Sequence, residues 1–315
     1  MRKVGVATIS YGNNPKEINE GLDAVLKIWG VLIERAAYDR PDIVLLPEHF
    51  ALTGMPYKLN AIAEDLNGVP GPVTNFLAGQ ARRHGCYMLA SYPRRAGKRA
   101  GFYNSAVLFD RQGRIAGIYD KTFPTIGEME RGILPGRGAV TFDTDFGRIG
   151  AGICFDFNFR ELFAEYRGKN TELFCFLSAF SAGFQIPVIA YENQMFIASA
   201  ICAPKGRIVN PLGQIMADGN RAGMSIFAEI NLDCRVIHID YNKDKIPALK
   251  EKYQKLVRVD TGAEEGVYLL SSLHPERTVD DMLAEFNLEQ LDAYLERSRQ
   301  KRAGKLAERP AAGEL

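Results

Sequence analysis

The feature that most constrains the fold is an alternation of short apolar runs with amphipathic stretches. It begins with the first residues and continues without a linker or low-complexity tract to about residue 240. Residues 3–10 are rich in β-branched side chains and read as a strand. Pro15 is placed to open a helix in which Ile18, Leu22, Val25, Leu26, Trp29, Leu32 and Ile33 recur at helical spacing. Residues 42–47, Asp-Ile-Val-Leu-Leu-Pro, form the unbroken apolar run of a strand buried on both faces. A helix through residue 83 follows Pro70-Gly-Pro72, and residues 86–92 are the next strand. Residues 104–110 and 115–119 flank Gly113 as a hairpin. Further strands are expected at 140–143, 147–154 and 173–177, helices at 159–166 and 188–195, and hairpin-like pairs at 206–216 and 224–232. Such interleaving predicts a layered α/β architecture rather than a string of small domains. The character changes near Asp240, so the expected division is a domain over 1–240 and a partly helical extension over 241–315. In that extension, residues 243–258 are charged and helical-looking. Residues 278–302 read as one helix carrying Met282, Leu283, Phe286, Leu288, Leu291 and Leu295.

Composition removes several function classes. Lys+Arg total 39 against Asp+Glu 38, and neither sign clusters, so the positive field a nucleic-acid binder needs is missing. The five cysteines, Cys86, Cys154, Cys175, Cys202 and Cys234, are odd in number and lack a CxxC pair. The four histidines form no HxH or HExxH arrangement. This pattern argues against a disulfide scaffold and against a metal site. No apolar run approaches the roughly 18 residues of a membrane span, and the N-terminal run is too short for a signal-peptide core. The expectation is a reduced, soluble, cytoplasmic protein.

Three segments share one form, a buried strand followed at once by a reactive side chain in a turn. Leu45-Leu-Pro47 leads to Glu48, residues 115–119 lead through Asp120 to Lys121, and residues 149–153 lead to Cys154. In α/β sheets, sites collect outside strand ends. A thiol attacks as thiolate, but an ordinary pKa of about 8.5 leaves little of it ionised at neutral pH. A carboxylate within reach can take the thiol proton and return it to a leaving nitrogen. A nearby ammonium favours the thiolate and can stabilise a tetrahedral oxyanion. Glu48, Lys121 and Cys154 together can therefore run acyl transfer from an amide without metal or cofactor. Taken singly each has a plainer reading: a core cysteine, a helix-capping glutamate, a solvated lysine.

With their flanks, Pro47-Glu48, Tyr119-Asp-Lys121 with Pro124, and Gly152-Ile-Cys154-Phe-Asp156 resemble the three signatures of the nitrilase superfamily, the carbon–nitrogen hydrolases. The resemblance covers roughly residues 1 to 235. It implies a four-layer α-β-β-α sandwich whose subunits pair. It also implies roles: Glu48 as general base, Lys121 as oxyanion stabiliser and Cys154 as nucleophile. A second glutamate usually precedes a Pro-Gly between the lysine and the cysteine. Before Pro135-Gly136, Glu128 fits that place and Glu130 is the alternative. True nitrilases tend to carry Trp-Glu after the cysteine, whereas this chain has Phe155-Asp156, which favours amide over nitrile substrates. The two arginines that clamp a carboxylate in D-amino-acid carbamoylases are replaced by Phe157 and Asn158. Arg160 is placed to start the next helix. Phe155, Ser178, Ala179 and Phe180 are assigned to the pocket wall.

The expected function is hydrolysis of a small amide or N-carbamoyl substrate through a thioester, with no cofactor. Other outcomes on the same scaffold are a thiol acyltransferase, a nitrile hydrolase or a catalytically silent binding protein. A Cys–His pair would need His49, which as a neighbour of Glu48 on a strand end is expected to point away from it. The apolar stripe Met282, Phe286 and Leu291 must be buried against its own subunit or against a partner, and the resemblance favours the partner, which implies a homo-oligomer, at least a dimer.

Overall fold

The computed structural model describes residues 1–11, 21–56, 58–66, 68–97, 101–203, 205–219, 224–262 and 264–308. Pro15 and Ile18 of the expected first helix lie outside them. The chain divides into two compact units, residues 3–230 and residues 1–2 with the chain from Asn231 onward.

The larger unit runs β1 (Lys3–Ile9), α1 (Leu22–Ala36), β2 (Ile43–Leu45), α2 (Leu59–Ile62), α3 (Pro72–His84), β3 (Tyr87–Arg95), β4 (Phe102–Phe109), β5 (Ile115–Asp120) and α4 (Ile126–Glu130). It continues with β6 (Thr141–Asp143), β7 (Arg148–Ile153), α5 (Arg160–Gly168), β8 (Leu173–Ser178), α6 (Gln185–Asn193), β9 (Phe196–Ile201), β10 (Arg207–Val209), β11 (Ile215–Asp218) and β12 (Ser225–Asn231).

Two six-stranded sheets result, in the orders β12-β1-β2-β3-β4-β5 and β11-β10-β9-β8-β7-β6. Each has a parallel centre, β1-β2-β3 in one and β9-β8-β7 in the other, continued by antiparallel neighbours. The period of two in a strand sends alternate side chains to opposite faces. Ala7, Ile9, Val44, Leu46, Met88 and Ala90 therefore pack with Val25, Trp29, Leu32 and Ile33 of α1 and with Leu77 and Ala81 of α3. On the second sheet, Phe174, Phe176, Ile197 and Ile201 pack with Leu162, Phe163 and Tyr166 of α5 and with Ile186, Ile189 and Ala190 of α6. The remaining sheet faces meet: β1 lies beside β9, and the Ile201 amide donates to Ser10 Oγ at 3.1 Å. The order of layers is α-β-β-α, as the sequence implies.

Two details differ from the sequence reading. The helix expected to reach Met195 ends at Asn193, and β9 follows it directly. Gln194 adopts a left-handed φ of 51°, a stop that its residue type does not announce. The expected hairpin at 206–216 forms as β10 and β11. However, β12 joins the other sheet beside β1, where the Phe227 ring packs over Gly5.

The second unit contains β13 (Cys234–His238), α7 (Ile246–Tyr253), β14 (Val257–Gly262), β15 (Val267–Ser272), α8 (Val279–Glu285) and α9 (Leu291–Ala307). β15 pairs antiparallel with both β13 and β14. That pairing draws residues 234–238 into this unit, so the division falls at 230/231 rather than at Asp240. The helix expected over 278–302 is two helices, separated by Asn287 at a φ of 47°. Thr278 and Asp281 form a capping box for α8. Met282 and Leu283 are buried with Leu249, Val257 and Leu270 of the same unit. The stripe Met282, Phe286 and Leu291 is therefore not one open face, and Leu291 is the only buried residue of α9. Among the described residues no helix is long and apolar enough to cross a membrane.

Candidate active site

Glu48, Lys121 and Cys154 emerge at carboxyl ends of strands, and Glu128 from the first turn of a helix. Glu48 follows β2 by way of Leu46 and Pro47, and His49 then turns the chain at a φ of 50°. Trp29 Nε1 donates to Phe50 O at 2.9 Å and pins the far side of that turn. Lys121 leaves β5 with its amide on Asn104 O at 2.8 Å and its carbonyl accepting from Gly136 N at 2.8 Å. A Cβ on Gly136 would meet Asp120 O at 2.1 Å, so only glycine allows this approach. Cys154 leaves β7 at a φ of 50°. For a side chain other than glycine that conformation costs on the order of 1–3 kcal/mol and needs a surrounding structure to hold it. Glu128 sits in the first turn of α4, where Thr125 N donates to its Oε2 at 2.7 Å and Thr125 Oγ1 accepts from Glu128 N at 3.2 Å.

These turns converge on one buried ammonium. Lys121 Nζ donates to Glu48 Oε1 at 3.0 Å and to Glu128 Oε1 and Oε2 at 3.0 and 2.9 Å. The lysine side chain is only 1% exposed. Glu48 is held from two further sides. Asn104 Nδ2 donates to Oε1 at 2.8 Å and Ala179 N donates to Oε2 at 3.0 Å, and the Cys154 thiol lies beside the same carboxylate. Asn104 is itself fixed by Ser91 Oγ at 2.8 Å, which in turn accepts from His49 N at 3.3 Å.

The electrostatics assign protonation states. Burial acts to raise the Glu48 pKa, but the Lys121 ammonium and the hydrogen bonds from Lys121 and Cys154 outweigh it and hold the carboxylate ionised. Burial acts to neutralise Lys121, and the negative charges of Glu48 and Glu128 with the thiol position reverse this. The Cys154 thiol is pushed up to about 12, first by burial and then by the Glu48 charge, with Lys121 opposing. Lys121 favours the thiolate, as expected, while burial and the Glu48 charge oppose it, which favours moving the proton as the carbon–sulfur bond forms.

Other residues predicted from sequence fall into distinct places. Glu128, not Glu130, reaches the ammonium, and Glu130 is exposed. Phe155 is 36% exposed and meets Phe159 edge-on, with Phe159 stacked on Phe123 at 3.8 Å. Ser178 is fully buried, and its hydroxyl donates to Phe180 O at 2.7 Å, so it shapes the turn after β8. Ala179 contributes its amide rather than its side chain, and Phe180 is half-exposed against Phe176. Arg160 is exposed and faces Glu192 at 3.7 Å.

His49 does not point away. A ring nitrogen of His49 and one oxygen each of Glu48 and Glu128 lie within 4.8 Å of one another. By distance such a trio can hold a metal, but the Lys121 ammonium already bonds both carboxylates. Burial depresses the imidazole pKa, and the thiol interacts with Glu48 and Lys121 rather than with His49, which disfavours a Cys–His pair. Sequence reasoning missed Asn104 and the Ala179 amide. The one available signal was a polar Asn at the head of an otherwise apolar strand.

Hydrogen bonds to charged groups are worth about 1.5–3 kcal/mol, so losing the Glu128 charge should cost roughly 10- to 100-fold in kcat. Glu128→Gln is expected to show that loss in steady-state kinetics, and Glu130→Gln to stay within about twofold of wild type. Equal losses in both would return the assignment to Glu130.

A buried carboxylate–ammonium–carboxylate cluster beside a strand-end thiol is the arrangement that the sequence motifs imply. Residues 5–235 match the carbon-nitrogen hydrolase family. The chain belongs to that family. Omega-amidase NIT2-B of Xenopus laevis is 28% identical over 257 residues, covering 73% of this chain and 89% of the relative. Human omega-amidase NIT2 is 27% identical over 255 residues, covering 72% and 89%. Among solved structures, Saccharomyces cerevisiae Nit3, a member of branch 10 of the nitrilase superfamily, superposes with a TM-score of 0.63 at 23% identity, covering 72% of this chain and 90% of that one. An amidase from Nesterenkonia sp. gives a TM-score of 0.60 at 19% identity, covering 79% and 96%. These likenesses support the fold of a carbon–nitrogen hydrolase.

Proposed function

We propose that this hydrolase cleaves the C–N bond of a small amide or N-carbamoyl compound through a thioester on Cys154. The observation that carries the reading is Glu48 bonded to the Lys121 ammonium and lying beside the Cys154 thiol. As Sγ attacks the carbonyl carbon, its proton passes to Glu48 and the carbonyl electron pair moves onto oxygen. Lys121 stabilises that oxyanion, with Glu128 holding the ammonium in place. Glu48 returns the proton to the leaving nitrogen, which departs as ammonia or an amine. Water then attacks the thioester, losing a proton to Glu48, and the carboxylic acid and free thiol are released. Relatives named omega-amidase and amidase are consistent with an amide substrate.

The same residues serve a nitrile hydrolase, but Phe155-Asp156 after the nucleophile favours amides. Ammonia release from the purified protein across amides, carbamoyl compounds and nitriles tests this. The expected result is turnover of amides or carbamoyl compounds at least about tenfold above nitriles in kcat/KM. Preferred nitrile turnover would replace the reading. Transfer of the acyl group to an added amine, in place of water, would make the protein an acyltransferase. An oligomer, at least a dimer, remains part of this proposal. Its support is the family resemblance, since Met282 is covered within its own unit. Light scattering of the intact chain decides it.

A further inference from the structure

One fully buried carboxylate in the larger unit accepts hydrogen bonds from three groups. Asp156 lies in the 3-10 turn directly after Cys154 and is 0% exposed. Its Oδ2 accepts from Ile153 N at 2.9 Å, the residue just before the nucleophile. The same oxygen accepts from Tyr119 Oη at 2.7 Å, two residues before Lys121. Its Oδ1 accepts from Phe123 N at 2.8 Å, two residues after Lys121. One carboxylate thus ties the strained Cys154 turn to both sides of the Lys121 turn, although neither reactive side chain bonds to it directly.

We propose that Asp156 is a positioning residue that locks the nucleophile turn against the lysine turn, and that its ionised form is the one that supports turnover. The inference rests on the reading of Cys154 and Lys121 given above. A protonated Asp156 carries a hydrogen that the Ile153 and Phe123 amides cannot accept; only Tyr119 Oη could take it, by turning its own hydrogen to Thr122 Oγ1 at 3.0 Å. Protonation therefore removes the charge that both amides bond and weakens the brace. Burial raises the Asp156 pKa to about 6, with the two amides, the Tyr119 hydroxyl and Lys121 opposing it. The titratable groups acting on it are Tyr119 from β5, Lys121 just beyond that strand, and Tyr166 from α5. Burial holds both phenols neutral, and Lys121 stays charged. Activity should then fall as pH drops through about 6. Glu48, whose pKa is lowered, protonates at more acid pH and gives a separate, later loss.

The test is kcat and kcat/KM for wild type, Asp156→Asn and Tyr119→Phe between about pH 5 and 8. Tyr119→Phe deletes a donor that favours the carboxylate, so its acid midpoint should move to higher pH while kcat at pH 8 stays within about threefold. In Asp156→Asn the amide NH2 faces donors, so kcat at pH 8 should fall roughly 10- to 100-fold with KM little changed. Its loss of activity near pH 6 should disappear. Unchanged midpoints in both variants, or wild-type kcat in Asp156→Asn, would overturn the proposal. If Asp156→Asn does not fold, as judged by circular dichroism, the midpoint of Tyr119→Phe decides alone. Wild-type protein that releases no ammonia from any amide, or releases it equally as Cys154→Ala, fails the proposed function instead.

Discussion

Cys154→Ala is expected to lower kcat by at least about 10⁴-fold, leaving only what binding and the ammonium supply. No other side chain can take over. Cys86, just before β3, and Cys175, within β8, are buried, with thiols raised by burial. Cys202 comes nearest in role, but its Sγ donates to Glu48 O at 3.3 Å, a backbone carbonyl that cannot accept a proton for catalysis. Cys86→Ala and Cys175→Ala should therefore retain turnover, with any loss appearing as stability. Steady-state ammonia release from the three variants checks this. Full activity in Cys154→Ala would end the thioester account.

The second large effect is the response to Glu48→Gln and Lys121→Met. Each is expected to lower kcat by at least about 100-fold while KM changes little, because a base and an oxyanion stabiliser act mainly in the transition state. The two losses should not add, since both residues belong to one hydrogen-bonded unit. Lys121→Met also leaves Glu48 and Glu128 buried without their shared cation, so the two carboxylates repel each other and Glu48 protonates more readily. Its pH profile should accordingly shift upward, whereas that of Glu48→Gln should lose the base. Near-normal kcat with raised KM in either variant would assign that residue to substrate binding.

The site was legible where chemistry sits on local sequence. Glu48, Lys121 and Cys154 each follow an apolar run that ends in a turn, so strand, turn and reactive residue lie within ten positions of one another. Glu128 was legible beside Pro135-Gly136, and the capping box with Thr125 explains why it, rather than Glu130, faces inward. The supporting bonds were not legible, because they join distant segments. Asn104 reaches Glu48 across 56 positions and the Ala179 amide across 131. Asp156 appeared in the sequence as the end of the Cys154 motif and as a departure from Trp-Glu, and its bonds emerge from where β5 and β7 end. The third sheet was hidden for a related reason. β14 and β15 are short and half-polar, and the charged helix α7 before them set the apparent character of the tail.

Rapid quenching during turnover of an amide, followed by peptide mapping, addresses the central claim most directly. The account predicts a protein-bound acyl group on the peptide that carries Cys154, formed together with an equivalent burst of ammonia. An acyl group on any other residue, or an ammonia burst without a protein-bound acyl group, would contradict it.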